Sequence, residues 1–308
     1  MKNIIVVALK GMAMGIAEVV PGVSGGTIAF ITGIYERLLL AIKSINPSLI
    51  KIGRGAGIKG IWKAVDGTFL TALLSGMVLG LLAFVQVISY LIEHHKEGLW
   101  GFFFGLILAS VLFIGRQVKH WDISSLLLLA LATVVAFYLT IAAPAAGIHA
   151  LWFVFLSGAI AISAMILPGV SGSFLLLVMG MYTYIIPTLK EALDTFATDK
   201  LIVLGVFLLG CLTGLLSFVH LVSWAFKRHR KQTLAILTGF MAGSLNKVWP
   251  WKNTIPTSIG DGPQVASFEK SVWPSGYEGD PKVWLVLCVV LIGFLIVFGL
   301  EKLSRQPN

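Results

Sequence analysis

Long apolar runs with few or no charges dominate the pattern of hydrophobic and polar positions along this chain. The longest cover about 20 residues or more, which is the length that an α-helix needs to cross a hydrocarbon core of about 30 Å. Polar and basic residues lie mainly in the shorter stretches between these runs. The pattern predicts an all-α polytopic membrane protein with spans at residues 67–92, 99–115, 124–142, 201–226, 233–247 and 283–300.

Two other apolar stretches, residues 3–42 and 150–189, are each interrupted by the sequence PGVSG. Proline lacks a backbone N–H and glycine is a poor helix former, so this sequence should break a helix. We expect each stretch to be either a re-entrant hairpin or a pair of short half-helices. Irregular backbone at membrane depth is tolerated only where it faces protein or a water-filled cavity.

The two halves of the chain repeat each other in sequence. Residues 11–35 align with residues 158–182 at a constant offset, and the GxxxG pattern of Gly76 and Gly80 recurs at Gly210 and Gly214. A broken segment that returns to its own side, followed by three spans, leaves the chain on the opposite side of the membrane. The sequence therefore predicts two inverted repeats, residues 1–149 and 150–308. The GxxxG glycines are interpreted as helix-packing surfaces.

Composition and charge agree with lipid as the solvent, since 57% of residues are hydrophobic and only 12% are charged. The formal net charge of +9 does not indicate nucleic acid as a partner, because the basic residues are spread over short loops rather than gathered on one face. These loops all fall on one side of the predicted topology. The positive-inside rule then predicts a multi-pass protein of the inner (cytoplasmic) membrane with both termini in the cytoplasm.

The broken segments are the main candidate binding sites. A half-helix that begins after PGVSG presents unpaired backbone N–H groups and the positive end of its dipole, which together favour an anion. Two such sites from opposite sides match the way transporters build sites near the bilayer midplane, although a proline kink with close packing is the alternative. The candidate residues are Pro21, Gly22, Ser24, Gly25, Gly26 and Thr27 in the first half, and Pro168, Gly169, Ser171, Gly172 and Ser173 in the second.

Glu18 precedes the first motif inside an apolar run, where a carboxylate is costly and is by default a functional candidate. We expect it to pair with Arg37 or Lys10, or to carry a coupling proton; a solvated turn is the alternative. Glu36 and Arg37 follow the motif and have uncharged counterparts in the second half, which makes the halves chemically asymmetric. Arg37 could equally be an interface anchor.

Arg116 and Lys247 end corresponding spans, one on each predicted side of the membrane. They could pass a phosphate between the leaflets, or they could be cations that extend to the interface from helix ends. A Walker A sequence, a nucleophile elbow and histidine or cysteine spacing suited to a metal are absent from the sequence. We therefore expect no catalytic residue, metal or cofactor, and no enzyme activity.

With Glu18 before the first PGVSG, Gly33, Tyr35 and Glu36 after it, and the second PGVSG at 168–172, the chain resembles a bacterial and archaeal family, the polyprenyl-phosphate transporters, formerly a domain of unknown function. The resemblance covers about residues 10–300. It implies translocation of undecaprenyl phosphate toward the cytoplasmic leaflet, where this carrier lipid is reused in cell-wall synthesis. A phosphate headgroup suits the two half-helix N-termini, while the isoprenoid tail stays in lipid.

Two other functions remain open on the residues alone. A carrier of a soluble anion, coupled to an ion, could use the same half-helix chemistry, and a membrane enzyme acting on a lipid phosphate is a third candidate. A lateral opening from the motif to lipid would favour a lipid substrate over a soluble one. The residues leave open a proton or sodium as coupling ion, the isoprenoid length, the oligomeric state and the role of loop 248–282.

Overall fold

The computed structural model describes residues 2–20, 23–142, 147–258 and 265–304. Within these ranges the chain forms helices and a single β-hairpin. Two of the candidate site residues, Pro21 and Gly22, lie outside the described residues. The all-α polytopic fold predicted from the apolar runs is confirmed.

Seven helices belong to the first half of the chain: α1 Lys2–Val19, α2 Gly25–Ile31, α3 Tyr35–Lys43, α4 Ser48–Ala64, α5 Gly67–His94, α6 Lys96–Gln117 and α7 Ile123–Ile141. Six belong to the second half: α8 Leu151–Ile166, α9 Gly172–Val178, α10 Tyr182–Thr195, α11 Thr198–Arg228, α12 Arg230–Ser244 and α13 Val283–Ser304. Between α12 and α13 lie a 3-10 turn, Leu245–Val248, the antiparallel strands β1 Lys252–Ser258 and β2 Val265–Ser271, and a second 3-10 turn, Pro274–Gly276.

Four helices in the described ranges, α5, α6, α7 and α11, are long and apolar enough to cross a membrane alone. Helices α8 and α13 contain shorter apolar stretches. The remaining predicted span, 233–247, is an α-helix of 15 residues that ends at Ser244 and continues into the 3-10 turn. The basic stretch after residue 43, expected to be a loop, contains the exposed helix α4.

Both broken segments are present, and each contains a second break that the sequence analysis did not anticipate. Helix α2 meets α3 at 116°, and α9 meets α10 at 109°. The bends contain Gly33 (φ +72°) and Gly180 (φ +68°), which align with each other in the sequences of the two halves. Positive φ is readily adopted only by glycine, so these glycines permit the turns.

The GxxxG glycines pack against the helices of the broken segments, as predicted. A Cβ added to Gly76 or Gly80 of α5 would collide with the backbone carbonyl of Ala8 or Met12 of α1. In the second half, Gly210 meets Phe155 in the same way. Contact positions advance together along both helices of each pair, so α1 runs parallel to α5 and α8 runs parallel to α11.

The remaining spans pair across the two halves. Gly101 and Gly105 of α6 lie against Val286 and Val290 of α13, and equivalent close contacts join α12 to α7. These pairs are also parallel, because their contact positions advance in step. The second span of each half therefore packs against the third span of the other half. All seven residues of α2 are buried in this helix bundle.

Candidate functional site

The two broken segments meet inside the protein. Ser24 Oγ lies 3.2 Å from the carbonyl oxygens of both Met165 and Leu167, at the end of α8. The backbone N–H of Gly169 donates to Thr27 Oγ1 at 2.9 Å. Ser24 and Thr27 are buried. The two motifs, far apart in sequence, thus form one junction.

At the first half-helix, side chains already occupy the backbone donors that were predicted to bind an anion. The Gly25 N–H donates to Glu18 Oε1 at 2.8 Å, and the Gly26 N–H donates to Ser24 Oγ at 3.1 Å. A helix start leaves several N–H groups without helical partners, and an oxygen acceptor there is stabilising. Glu18 therefore caps α2 with its carboxylate, where an incoming phosphate would have to compete with it.

The expected pairing of Glu18 with Arg37 or Lys10 is wrong. Arg37 donates to Asp66, with Nε 2.7 Å from Oδ2 and Nη2 3.1 Å from Oδ1. Lys10 Nζ donates to the carbonyl oxygen of Thr32 at 2.6 Å. The physical reason is the bend between α2 and α3, which turns Arg37 away from the motif and toward the start of α5.

Glu36 is also directed away from the motif. Its carboxylate forms an ion pair with Arg230, at the start of α12, with a shortest N–O distance of 2.8 Å. Both side chains are about half exposed, and such pairs typically contribute about 0–1 kcal/mol. Glu36 and Arg37 therefore link helix ends at the surface and do not line the junction in this conformation.

Lys247 lies beside the second motif. Lys247 Nζ is 4.3 Å from the centre of the Phe174 ring on α9. Together with Gly169, Ser171 and Thr140, these residues line a cavity of about 20 Å³, enough for about one water molecule. Ser171 Oγ is 2.9 Å from Ser173 Oγ. The first half-helix thus starts at a carboxylate, whereas the second starts near an ammonium group.

The turn before the second half-helix depends on a glycine. Pro168 is followed by Gly169, which has φ +86° and therefore a conformation that residues with a side chain rarely adopt. A Cβ on Gly169 would also lie 2.8 Å from the Cα of Met241. The left-handed backbone directs the Gly169 N–H to Thr27, so this turn positions the contact between the halves.

Arg116 is not brought to the junction. It is exposed at the end of α6, and its guanidinium carbon lies 5.6 Å from the centre of the Phe298 ring on α13. This position agrees with the interpretation of a cation at a helix end. Within the described ranges, no group of three or more His, Cys, Asp or Glu side chains could hold a metal ion.

An apolar cleft of about 650 Å³ adjoins the first broken segment, between α1, α2, α6 and α13. Its lining is hydrophobic apart from Lys10 and Thr32. At its rim, Val6 and Leu9 of α1 and Ile296 of α13 are 47%, 55% and 40% exposed. The cleft therefore reaches the outer surface of the helix bundle from the buried helix α2, and its volume is in the usual range for ligand sites.

The chain matches the undecaprenyl phosphate translocase-like family over residues 14–264. The chain belongs to this family. It is 44% identical over 303 residues to a polyprenyl-phosphate transporter of Vibrio cholerae, with 97% of this chain and 96% of the relative covered. A polyprenyl-phosphate transporter of Staphylococcus aureus is 29% identical over 311 residues, with the same coverage of 97% and 96%. No solved structure matches the chain.

Membership of the translocase-like family confirms the resemblance inferred from the doubled PGVSG motif. The matched region begins within the first broken segment and contains both PGVSG motifs and the junction between them. The family and both relatives are named for translocation or transport. Three features of this protein were not predicted from its sequence: the Arg37–Asp66 pair, the apolar cleft, and the contact of loop 248–282 with Lys247. The charged residues Lys252 and Glu269 in that loop were the available signal for the last of these.

Proposed function

We propose that this protein transports a polyprenyl phosphate, undecaprenyl phosphate, across the cytoplasmic membrane and returns the carrier lipid to the cytoplasmic leaflet for cell-wall synthesis. The observation that carries this proposal is the apolar cleft beside the junction of the two motifs. A soluble anion needs no apolar opening toward lipid, whereas the isoprenoid tail of a lipid phosphate does. The names of the two relatives supply the substrate class.

In this account the headgroup binds at the junction and the tail lies in the cleft. A phosphate would replace the Glu18 carboxylate at the Gly25 N–H, because both are anions that accept hydrogen bonds from a helix start. Two negative charges close together in a site of low dielectric favour protonation of one of them. Headgroup binding would then be linked to proton uptake by Glu18, which makes a proton the first candidate for a coupling ion.

The directions of the helices support inverted repeats. Helix α5 has 28 residues and is about 42 Å long at 1.5 Å per residue, so α6, which starts after one intervening residue, must cross back. Helix α7 then runs in the direction of α5. Because α12 is parallel to α7, and α11 precedes α12 by one residue, α11 runs opposite to α5. Their parallel partners α8 and α1 therefore also run in opposite directions.

This arrangement suits alternating access, in which one half moves against the other around a central site. Between the two motifs themselves the polar contacts are few, mainly those of Ser24 and Thr27 with the second motif, whereas the helix pairs α6–α13 and α7–α12 join the halves by close packing. Ion pairs Arg37–Asp66, Glu36–Arg230 and Lys231–Asp122 connect the starts of α3, α5, α7 and α12. These helix ends therefore lie on the same side, which the positive-inside rule predicts to be the cytoplasmic one.

A competition assay in proteoliposomes tests the substrate class. The protein should bind polyprenyl phosphate in preference to the corresponding polyprenol, and a large excess of a soluble phosphate monoester should compete only weakly. It should release no inorganic phosphate from the lipid. Equal binding of the alcohol would contradict a phosphate headgroup site, uptake of the soluble ester would favour the anion carrier, and phosphate release would favour the enzyme.

A further inference from the structure

The β-hairpin between α12 and α13 places one carboxylate among three ammonium groups. The Glu269 side chain on β2 lies 2.9 Å from Lys96 Nζ at the start of α6 and 3.6 Å from Lys252 Nζ on β1. Lys247 Nζ, in the 3-10 turn after α12, is 3.9 Å away. Three separate elements therefore direct cations at one anion, and the cluster carries an excess of positive charge. We call these four residues the lysine cluster.

Two of the three lysines of the lysine cluster are poorly exposed to solvent. The side chain of Lys252 is 3% exposed and that of Lys247 is 19% exposed. Burial lowers the pKa of Lys252 to about 8, although Glu269 opposes the shift. Burial also tends to raise the pKa of Glu269, but the charge of Lys252 and the hydrogen bond from Lys96 outweigh it and lower that pKa to about 2. Burying cations is costly unless counter-charge is supplied, and one carboxylate supplies too little for three lysines.

Lys247 connects the lysine cluster to the second broken segment. On one side it faces Glu269, and on the other it lies over the Phe174 ring and lines the small cavity at Gly169 and Ser171. The hairpin therefore covers the second motif through a charged contact. The first motif has an equivalent feature, because Glu18 occupies its backbone donors. In both places a carboxylate of the protein lies where an anionic ligand could bind.

We propose that Lys96, Lys247 and Lys252 form a phosphate-monoester site at the hairpin end of the protein, and that the Glu269 carboxylate occupies this site until a phosphate displaces it. The inference rests on the proposed function, which supplies a lipid phosphate as ligand. A phosphate monoester carries about −1.5 to −2 charges at pH 7, so it compensates three lysines better than one carboxylate does. Displacing Glu269 breaks the ion pairs that join β2 to α6 and to the 3-10 turn that carries Lys247.

The alternative is that the ion pairs only hold the hairpin in place. The two accounts differ in the expected effect of Glu269→Gln. If Glu269 competes with phosphate, removing its charge tightens phosphate binding. If it only fixes the hairpin, removing its charge leaves phosphate binding unchanged or weakens it by disordering the lysines.

The test measures dissociation constants of the purified full-length protein in detergent at pH 7 and low salt. The probes are farnesyl phosphate, farnesol and inorganic phosphate. Glu269→Gln should bind both phosphates roughly tenfold more tightly, because the competing carboxylate is removed. Lys252→Met should bind them at least roughly tenfold more weakly, because one charged donor to the phosphate is lost. Lys252→Arg should restore most of the affinity.

The ion pair between Lys200 and Glu191, with an N–O distance of 3.0 Å, offers matched controls. Lys200→Met and Glu191→Gln make the same chemical changes outside the lysine cluster and should leave all dissociation constants within about twofold. Should Lys252→Met fail to fold, Lys96→Met replaces it, because the Lys96 side chain is partly exposed at 31%.

Failure of this site is distinguishable from failure of the proposed function. Preference for farnesyl phosphate over farnesol, combined with no tightening in Glu269→Gln, would overturn the lysine cluster as a phosphate site and leave the lipid-phosphate function standing. Equal binding of farnesyl phosphate and farnesol would count against the proposed function. In that case, tighter binding of inorganic phosphate by Glu269→Gln would still support an anion site, and unchanged binding would overturn it.

Discussion

The contact between Thr27 and Gly169 permits a quantitative test of the junction between the two halves. Thr27 is fully buried, and its Oγ1 accepts the Gly169 N–H at 2.9 Å. Thr27→Val keeps the shape of the side chain and removes the acceptor, which leaves a buried N–H without a partner. The cost of such an unsatisfied donor is about 1–3 kcal/mol. We expect the free energy of unfolding to fall by that amount.

A matched control separates this contact from the general effect of removing a buried hydroxyl. Thr238 is also buried, but its Oγ1 donates within its own helix to the carbonyl of Leu234. Thr238→Val removes a hydroxyl that donates to a carbonyl oxygen inside a helix. We expect this change to lower the free energy of unfolding by less, about 1 kcal/mol or below. Thr27→Ser keeps an acceptor and should restore part of the loss.

Equilibrium unfolding in mixed micelles, followed by far-UV circular dichroism, measures these differences. The junction account requires Thr27→Val to lose more stability than Thr238→Val. Equal losses in the two variants would refute the reasoning, because the bond between the halves would then contribute no more than a bond inside one helix.

Three further predictions concern the first motif and the topology. Glu18→Gln should still bind lipid phosphate but lose the dependence of transport on pH, and an unchanged pH profile in proteoliposomes would leave Glu18 as a structural cap only. Gly25→Val should abolish transport in a protein that still inserts into the membrane, because the added Cβ lies 2.7 Å from Glu18 Oε1 and covers the Gly25 N–H. Gly205→Val is the control, because no atom lies within 4 Å of a Cβ added there. Reporter fusions at residue 308 and within loop 248–282 should report opposite sides of the membrane, and one shared side would contradict the inverted topology.

Sequence patterns were sufficient for the features that depend on local composition. An apolar run of about 20 residues can satisfy its backbone in lipid only as a helix, so the runs predicted most of the spans directly. The positions of the breaks followed from Pro168 and the glycines of both motifs. The second bends were not predicted, because Gly33 and Gly180 lie in apolar runs where glycine is equally compatible with close helix packing.

Contacts between distant parts of the chain were beyond these patterns. Arg37 was expected to pair with Glu18, but the bend after α2 carries it to Asp66. The contact of Lys252 with Glu269 depends on the hairpin register, which pairs Lys252 with Ser271 and Thr254 with Glu269. Lys252 and Glu269 are therefore diagonal neighbours on one face of the hairpin, and a loop without an assigned register could not reveal this.

Translocation of the lipid itself is the most direct measurement of the central claim. Vesicles containing the purified protein and a polyprenyl phosphate are compared with protein-free vesicles, and the headgroups accessible from outside are quantified with time. The account predicts that the protein moves polyprenyl phosphate between leaflets, that Gly25→Val does not, and that a pH gradient changes the rate in wild type but not in Glu18→Gln. Headgroup movement no faster than in protein-free vesicles, under every gradient tested, would contradict it.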